Sequence, residues 1–161
     1  MNKQNLLVSL IIILTFVLIG IIGYFVLAGQ EKTAAVKVFF SNSEKDPQAL
    51  ECEKVYPVER EISRAKPIIL TALEELLKGP TQEEQEKGYL TNINPGVIIN
   101  DLVIENNIAK VDFSEQLEYQ LGGSCRVIAI QAQIIETLKQ FAEIDDVIIS
   151  INGRIEDVLQ P

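Results

Sequence analysis

The two cysteines are the first residues of this sequence whose chemistry can be weighed. Cys52 and Cys125 are too far apart for a Cys-x-x-Cys redox pair, and two cysteines cannot make a four-cysteine zinc site. Three interpretations remain open. They are a disulfide, if the chain is exported to an oxidising compartment, two buried free thiols, and a reactive thiol at Cys125. The last follows from Arg126 and a predicted helix N-terminus beside Cys125, because both favour the thiolate. A disulfide requires that the two Cα atoms lie within about 7 Å.

A glycine-rich segment that opens a predicted helix is the second candidate. Gly122, Gly123 and Ser124 precede Arg126 in what would be the first turn. Free backbone N–H groups, the helix dipole and the guanidinium together predict a site for a carboxylate or phosphate, such as an anionic group of peptidoglycan. The alternative is a flexible entry and N-cap that binds nothing.

Acidic residues supply the third candidate, in the pairs Asp112 with Glu115 and Asp145 with Asp146. Acid–base catalysis by such pairs needs one carboxyl in a desolvated cleft. Nothing in the sequence indicates that cleft, so we interpret these residues as surface charge. We therefore expect no catalytic residue, no metal site and no bound cofactor.

The composition excludes several further classes of function. Histidine is absent from all 161 residues, which excludes Ser-His-Asp and Cys-His catalysis and histidine-containing metal sites. Without residues 1–32, which contain Lys3, Glu31 and Lys32, the chain has 12 basic and 22 acidic residues and a formal charge of −10. A domain this acidic is repelled by nucleic acid, so nucleic-acid binding is not expected.

The N-terminal part predicts a membrane anchor. Residues 6–29 carry no charge, and a helix of that length reaches roughly 36 Å, enough to span a hydrocarbon core of about 30 Å. Lys3 precedes this stretch, whereas Glu31 and Lys32 cancel after it, so the positive-inside rule favours a cytoplasmic segment at 1–5 and an extracytoplasmic domain. Residues 30–35 then form a short linker. The alternative is a cleaved signal peptide, which would also export the domain.

Alternating and β-branched segments predict strands at 36–40, 55–62, 102–104, 108–113 and 147–151. Pro57 predicts that the second of these lies at an edge or contains a bulge, and Asn106-Asn107 predicts a hairpin turn between the third and fourth. Leu102 and Ile104 are expected to share a buried side with Ala109, Val111 and Phe113 of the next strand.

Two main helices are predicted from their apolar spacing. The first starts at Pro67 and ends before Gly79 and Pro80, and the second covers about 125–141. Thr81 and Glu84 predict a capping box for a short further helix. The resulting order, β-(β)-α-β-β-α-β, indicates an α+β fold with both helices on one face of a small mixed sheet.

Four segments, taken in order, carry a resemblance to a known family. They are 76–81 (Leu-Leu-Lys-Gly-Pro-Thr), 102–113, 137–141 (Thr-Leu-Lys-Gln-Phe) and 147–154. Together they resemble the GerMN domain of sporulation and spore-germination proteins. The resemblance runs from about Val36 to Arg154, within a predicted domain of residues 36–161. The resemblance implies a fold similar to ring-building modules of secretion systems and of the sporulation channel. It also implies participation in cell-envelope complexes without a catalytic centre.

Two functions of different classes follow. The first is a membrane-anchored, non-catalytic binding or assembly module whose partners are envelope proteins, further copies of itself or peptidoglycan. Its binding surface would be an exposed sheet edge or the face near Gly122 to Arg126. The second is a cell-wall-directed enzyme that uses Cys125 or a carboxylate pair.

Overall fold

A computed structural model describes residues 3–28, 33–48 and 50–160. The chain divides into two compact units, Met1–Thr33 and Ala34–Pro161. The first unit contains the helix α1 (Lys3–Ala28). The second carries the sheets and the other helices, so each candidate residue outside the N-terminal segment belongs to it.

The structure does not support the predicted transmembrane helix. The prediction for residues 6–29 falls on α1 and on Gly29, which lies outside the described residues, as do positions 1 and 2 of the predicted cytoplasmic segment. Within the ranges that the structure describes, no helix has the length and apolarity needed to cross a membrane. The linker prediction also changes. Residues 30–32 lie outside the described residues, and residues 33–35 belong to the first strand, where Ala34 is already buried.

The second unit has the predicted α+β order with short additions. Its elements are β1 (Thr33–Asn42), β2 (Tyr56–Ser63), α2 (Ile68–Leu77), α3 (Gln82–Glu86), β3 (Tyr89–Leu90), β4 (Ile99–Glu105), β5 (Ile108–Phe113), a 3-10 turn (Glu115–Leu117), α4 (Ser124–Lys139) and β6 (Asp146–Ile151). The two-residue β3 and the 3-10 turn were not predicted. Pro67 is the N-cap of α2 rather than its first residue.

The strands form two sheets, so the prediction of a single mixed sheet is wrong. Their orders are β2-β1-β3 and β4-β5-β6. β5 pairs antiparallel with β4 and parallel with β6, which makes the second sheet the mixed one. β2, which contains Pro57, is at an edge as predicted, where the missing N–H of proline is tolerated.

Side chains near the end of α4 explain why β1 does not join the second sheet. β3 meets β1 only at the last two residues of β1. Farther back, the Gln140 amide accepts a hydrogen bond from the Lys37 N–H (2.7 Å) and donates one to the Lys37 carbonyl (2.5 Å). The buried Thr137 hydroxyl accepts from the Phe39 N–H (3.2 Å). These side chains take the place of a neighbouring strand at Lys37 and Phe39 and satisfy three main-chain groups of β1.

The predicted hairpin is confirmed in β4 and β5. Its two loop residues, Asn106 and Asn107, have φ values of 51° and 63°, the positive values that a two-residue hairpin turn of type I′ requires. Asparagine tolerates this conformation better than most residues because its short polar side chain can hydrogen-bond locally.

The two arms of the hairpin are buried to different extents. The core-facing residues of β5 are fully buried, as predicted: Ala109, Val111 and Phe113. On β4, Leu102 is half-buried and Ile104 is 39% exposed, so the predicted burial of Ile104 is wrong. β4 is an outer strand of its sheet, and in the described part of the chain no element packs over Ile104 closely enough to bury it.

A single large core joins both sheets to α2 and α4, which pack against each other. The apolar stripe of each helix supplies its buried residues at the expected spacing. The largest fully buried side chains include Phe40, Leu73, Leu76, Phe113, Ile130, Ile134 and Leu138. A smaller cluster of Ala34, Val36, Ile62 and Ala72 lies around the start of β1.

The guanidinium of Arg60, on β2, joins the first sheet to the end of α2 and the start of α3. It donates to the carbonyl of Glu75, in the last turn of α2, and to that of Gly79 just beyond it, both at 2.9 Å. It also pairs with the carboxylates of Glu75 (3.3 Å) and Glu84 (2.6 Å). The Arg60 side chain is only 10% exposed and lies 5.5 Å from the ring centre of Phe40.

The turn between α2 and α3 has the predicted chemistry. Gly79 has φ 76°, the left-handed conformation that ends a helix. The Thr81 hydroxyl accepts from the Glu84 N–H (3.3 Å), while the Thr81 N–H donates to the Glu84 carboxylate (2.7 Å). This confirms the capping box. Arg60 therefore contacts a carboxylate that the helix cap has already oriented.

We predict that Arg60→Ala lowers the free energy of unfolding by about 3–5 kcal/mol, because it leaves two poorly solvated carboxylates and two carbonyls without their donor. Urea unfolding of the full chain, followed by circular dichroism, measures this. The matched control is Arg64→Ala, since Arg64 is an exposed arginine in the turn after β2, and it is expected to change stability by less than about 0.5 kcal/mol. Equal effects of the two variants would contradict the role given to Arg60.

Candidate functional site

The two cysteines form a disulfide, which confirms that prediction. Cys52 lies in the loop between β1 and β2, and Cys125 in the first turn of α4. Their sulfurs are 2.04 Å apart and their Cα atoms 5.0 Å apart. Neither thiol is therefore free in this oxidised chain, so the interpretations as buried free thiols or as a reactive thiol do not apply to it.

The loop that carries Cys52 is fixed at its base by a buried asparagine. The Asn42 side chain accepts from the N–H groups of Glu44 (2.9 Å) and Lys45 (3.0 Å), and it donates to the Lys87 carbonyl (2.9 Å). Its exposure is 3%. The loop is thus tied both to the end of α3, through Asn42, and to α4, through the disulfide.

A cavity of about 250 Å³ lies beside the disulfide and is lined by both cysteines and by Arg126. The Arg126 guanidinium faces the turn after β3. It donates to the carbonyl of Asn92 (3.2 Å) and to the side-chain oxygen of Asn94 (2.7 Å). Arg126 therefore fastens this turn to α4.

Gly123 and Ser124 line a different cavity, of about 470 Å³, together with the acidic residues Glu118 and Asp157. Gly123 is the N-cap of α4, with φ 88°, and no side chain caps the helix there. Arg126 does not line this cavity, and none of the three glycine-rich residues lines the cavity beside the disulfide. Gly122, Gly123, Ser124 and Arg126 are thus neighbours in sequence but not in one pocket, and neighbouring carboxylates oppose an anion at the helix start.

Asp112 binds three donors at the far end of β5. Its carboxylate accepts from the Ser150 hydroxyl (2.6 Å), the Gly153 N–H (2.7 Å) and the Asn100 amide (3.0 Å). Desolvation by itself would raise the pKa of Asp112, but the three hydrogen bonds outweigh it and hold that pKa below its ordinary value. The ionised Asp112 side chain therefore connects β4, β5 and the turn after β6 by hydrogen bonds.

The other predicted carboxylates are dispersed. Asp145 accepts from the Asn107 amide (3.1 Å) at the opposite end of β5, and Asp146 begins β6 near Lys139 (3.7 Å). Glu115 starts the 3-10 turn. Among residues 3–28, 33–48 and 50–160, no group of three or more His, Cys, Asp or Glu side chains could hold a metal ion.

A groove larger than the two cavities around α4 was missed by sequence reasoning. It has a volume of about 560 Å³ and lies between the N-terminal end of α2 and strand β4. The helix side is formed by residues 67–70, and the strand side by residues 99–102 and by Ile104. The available signal was the run Leu102-Val103-Ile104. Successive side chains of a strand lie on opposite faces, so three consecutive apolar residues place apolar side chains on both faces. If the strand is at an edge, some of these apolar side chains are expected to be exposed to solvent.

Comparison with known proteins agrees with this fold. A model of the Germane family (sporulation and spore germination) matches residues 37–157. No curated protein has a significantly similar sequence. Among solved structures, the chain is similar to the first GerMN domain of the sporulation protein GerM from Bacillus subtilis, with a TM-score of 0.53 and 21% identity over 76% of this chain and 85% of that one. The tandem GerMN domains of GerM match with a TM-score of 0.52 and 18% identity, over 77% of this chain and 41% of that one.

We predict that reduction of the disulfide destabilises the domain by about 4 kcal/mol, the chain-entropy value for a bridge between residues 73 apart. Chemical unfolding of the full chain with and without reductant measures the difference. The double variant Cys52→Ser with Cys125→Ser is the control. It should match the reduced wild type and not respond to reductant. An unchanged unfolding midpoint of the reduced wild type would contradict the prediction.

We predict that Asp112→Ala lowers the free energy of unfolding by about 1–2 kcal/mol at neutral pH, because charged hydrogen bonds to three donors are lost. Since the folded-state pKa is depressed, the wild type keeps this contribution above the ordinary value of 3.8 and loses it as the pH falls through the folded pKa. Unfolding measured from pH 7 to 2 should therefore show a steeper acid decline for wild type than for Asp112→Ala.

The matched control for Asp112 is Asp112→Asn, which keeps an acceptor for Ser150 and Gly153 but cannot titrate. It should be less destabilised than the alanine variant at pH 7 and share its shallow acid decline. Parallel acid profiles for all three proteins would refute the assigned role.

Proposed function

The chain belongs to the Germane family, and from this premise we propose that its domain, residues 36–161, is a non-catalytic binding or assembly module of the cell envelope. The observation that carries the proposal is the outer edge of β4, which no described strand pairs with and which lies beside an apolar groove. Exposed strand edges of this kind are places where another chain can pair. The family's description links the module to sporulation and spore germination, and we extend that link to this chain as part of the proposal.

The proposed location is the extracytoplasmic side of the cytoplasmic membrane. The disulfide supports export, because such bonds persist in oxidising compartments and are rare in the cytosol. Attachment is proposed from the sequence alone, because residues 6–29 contain no charged side chain and Lys3 would lie on the cytoplasmic side. The described helices do not supply this support, since none of them meets the length and apolarity of a membrane span. Protease added to intact protoplasts should digest the domain. If digestion requires lysis, the proposed location is wrong.

An enzyme that acts on the cell wall is the competing function, with Cys125 or a carboxylate pair as its catalytic group. The sulfur of Cys125 is bonded to that of Cys52 and is not available as a nucleophile without a reductant. Asp112 is held ionised by its three donors, whereas a general acid needs a raised pKa. Both facts weigh toward binding rather than turnover.

The candidate partners would have to bind the acidic domain in different ways. Envelope proteins can supply a complementary strand or face. Peptidoglycan would have to bind through its neutral or cationic groups, because the domain is acidic. Self-association has to overcome the repulsion between domains of charge −10, although a shared membrane would raise their local concentration.

We predict that the full chain associates with copies of itself or with wall fragments only weakly at low salt, and more strongly as salt screens the charge. Analytical ultracentrifugation across a salt series, with and without peptidoglycan fragments, tests this. The same fragments are assayed for cleavage by mass spectrometry. Release of hydrolysis products would replace the binding function with an enzymatic one. A strict monomer that binds no wall fragment and crosslinks to no envelope protein would remove the proposal.

A further inference from the structure

The open edge of β4 has the chemistry to bind one kind of partner. We propose that β4 accepts an additional strand from another protein, a segment in which apolar residues alternate with lysine or arginine. This inference rests on the proposed binding function and assigns its surface and the chemical class of its ligand. It is carried by three features of β4, which are its main-chain groups, its apolar groove and its acidic face.

The main chain of β4 presents free pairing groups on its outer side. Because a two-residue turn closes the hairpin at the pair Glu105 and Ile108, alternate residues of β4 direct their N–H and C=O groups away from β5. Those residues are Leu102 and Ile104. The Leu102 N–H donates to the carboxylate of Asp101 (2.9 Å). The Leu102 carbonyl and the N–H and C=O groups of Ile104 remain available for pairing. In the described part of the chain, no strand pairs with this side of β4.

The groove lies where one face of an added strand would go. The side chains of Leu102 and Ile104 point to its apolar lining, which Ile68 and Ile69 complete from α2. Ile104 is 39% exposed, so part of this apolar surface is in contact with water. Alternate side chains of a paired strand would enter the groove and cover it, as in other cases of strand addition.

The opposite face of β4 is acidic. Asp101, Val103 and Glu105 share it with Asp112 and Lys110 of β5. Lys110 pairs with Glu105 at 2.7 Å, which leaves an excess of negative charge. Cross-strand pairs of opposite charge are favourable, so the residues of the partner on this face should be basic. The two faces of β4 together specify a strand that alternates between apolar and basic residues.

A second copy of β4 fits this edge poorly. An antiparallel pair of two β4 strands centred on Val103 places Asp101 of one copy opposite Glu105 of the other. Like charges directly opposite each other are destabilising, and each domain adds a charge of −10. The edge is therefore suited to a basic segment of a different protein.

Binding of synthetic peptides to the full chain tests the proposal by fluorescence anisotropy. The probe is a labelled seven-residue peptide in which valine and lysine alternate. One control has the same composition with its valines and lysines in separate blocks, and another has glutamate in place of lysine. We expect measurable binding of the alternating lysine peptide, weakened by salt, and at least about tenfold weaker binding of both controls.

Two variants of the chain locate the site. Ile104→Pro removes an outward N–H and leaves the bonds between β4 and β5 in place, so it should weaken binding by about tenfold or more with an unchanged circular dichroism spectrum. The charge reversal Asp101→Lys with Glu105→Lys should reverse the preference, so that the alternating glutamate peptide binds better than the lysine peptide. Ile155→Ala removes an exposed apolar side chain outside the groove and should bind like wild type.

The results distinguish a specific strand site on β4 from nonspecific cation binding and from dimerisation. Equal binding of the alternating and blocked peptides, or no effect of either β4 variant, overturns the assignment and indicates nonspecific attraction of cations. A dimer that Ile104→Pro abolishes would make a second copy the occupant and would equally overturn it. If the chain crosslinks to envelope proteins but binds none of the peptides, the inference about β4 fails while the proposed function stands.

Discussion

The hydrogen bonds and ion pairs of the Arg60 guanidinium are the interactions on which the arrangement of β2, α2 and α3 depends. A helix ends with several carbonyls that have no intrahelical partner, and α2 ends beneath an edge strand where water has limited access. Arg60 reaches from that strand to satisfy Glu75 and Gly79 and to bind two carboxylates at once. One side chain thereby links β2 to the end of α2 and the start of α3. The position of α2 in turn sets one wall of the groove beside β4.

Strand edges are treated differently in different parts of this fold. Gln140 and Thr137 cover the main chain of β1 with their side chains, and Pro57 interrupts the edge of β2. β4 has a bulge near Asp101 and two acidic side chains, yet no strand among the described residues pairs with its outward groups at Ile104. Charges on an edge strand discourage pairing with identical molecules. The same charges attract a basic strand, so protection against self-pairing and selection of a partner arise from the same residues.

Much of the fold could be predicted from local signals. Gly79 and Pro80 end α2, Thr81 and Glu84 cap α3, and Asn106-Asn107 turns the hairpin, because each depends on residues within a few positions of one another. The disulfide remained one of three interpretations until the loop after β1 was seen to fold back onto α4. Arg60 escaped notice because an arginine on an edge strand is ordinary until its partners, 15 to 24 positions along the chain, are known.

The sequence by itself determined the main helices and strands, their order, the acidic charge and the absence of histidine chemistry, since these follow from composition and from short-range periodicity. The tertiary structure decided how the strands divide into sheets, because that depends on which side chains reach the edge of β1 from a helix about 100 positions away. It placed the Arg126 side chain and the preceding glycines at different cavities. The reason is that the packing of α4 directs Arg126 toward the turn after β3. It also left Ile104 at an open edge, since the burial of a strand residue is set by the element that packs over it and not by the residue's own hydrophobicity.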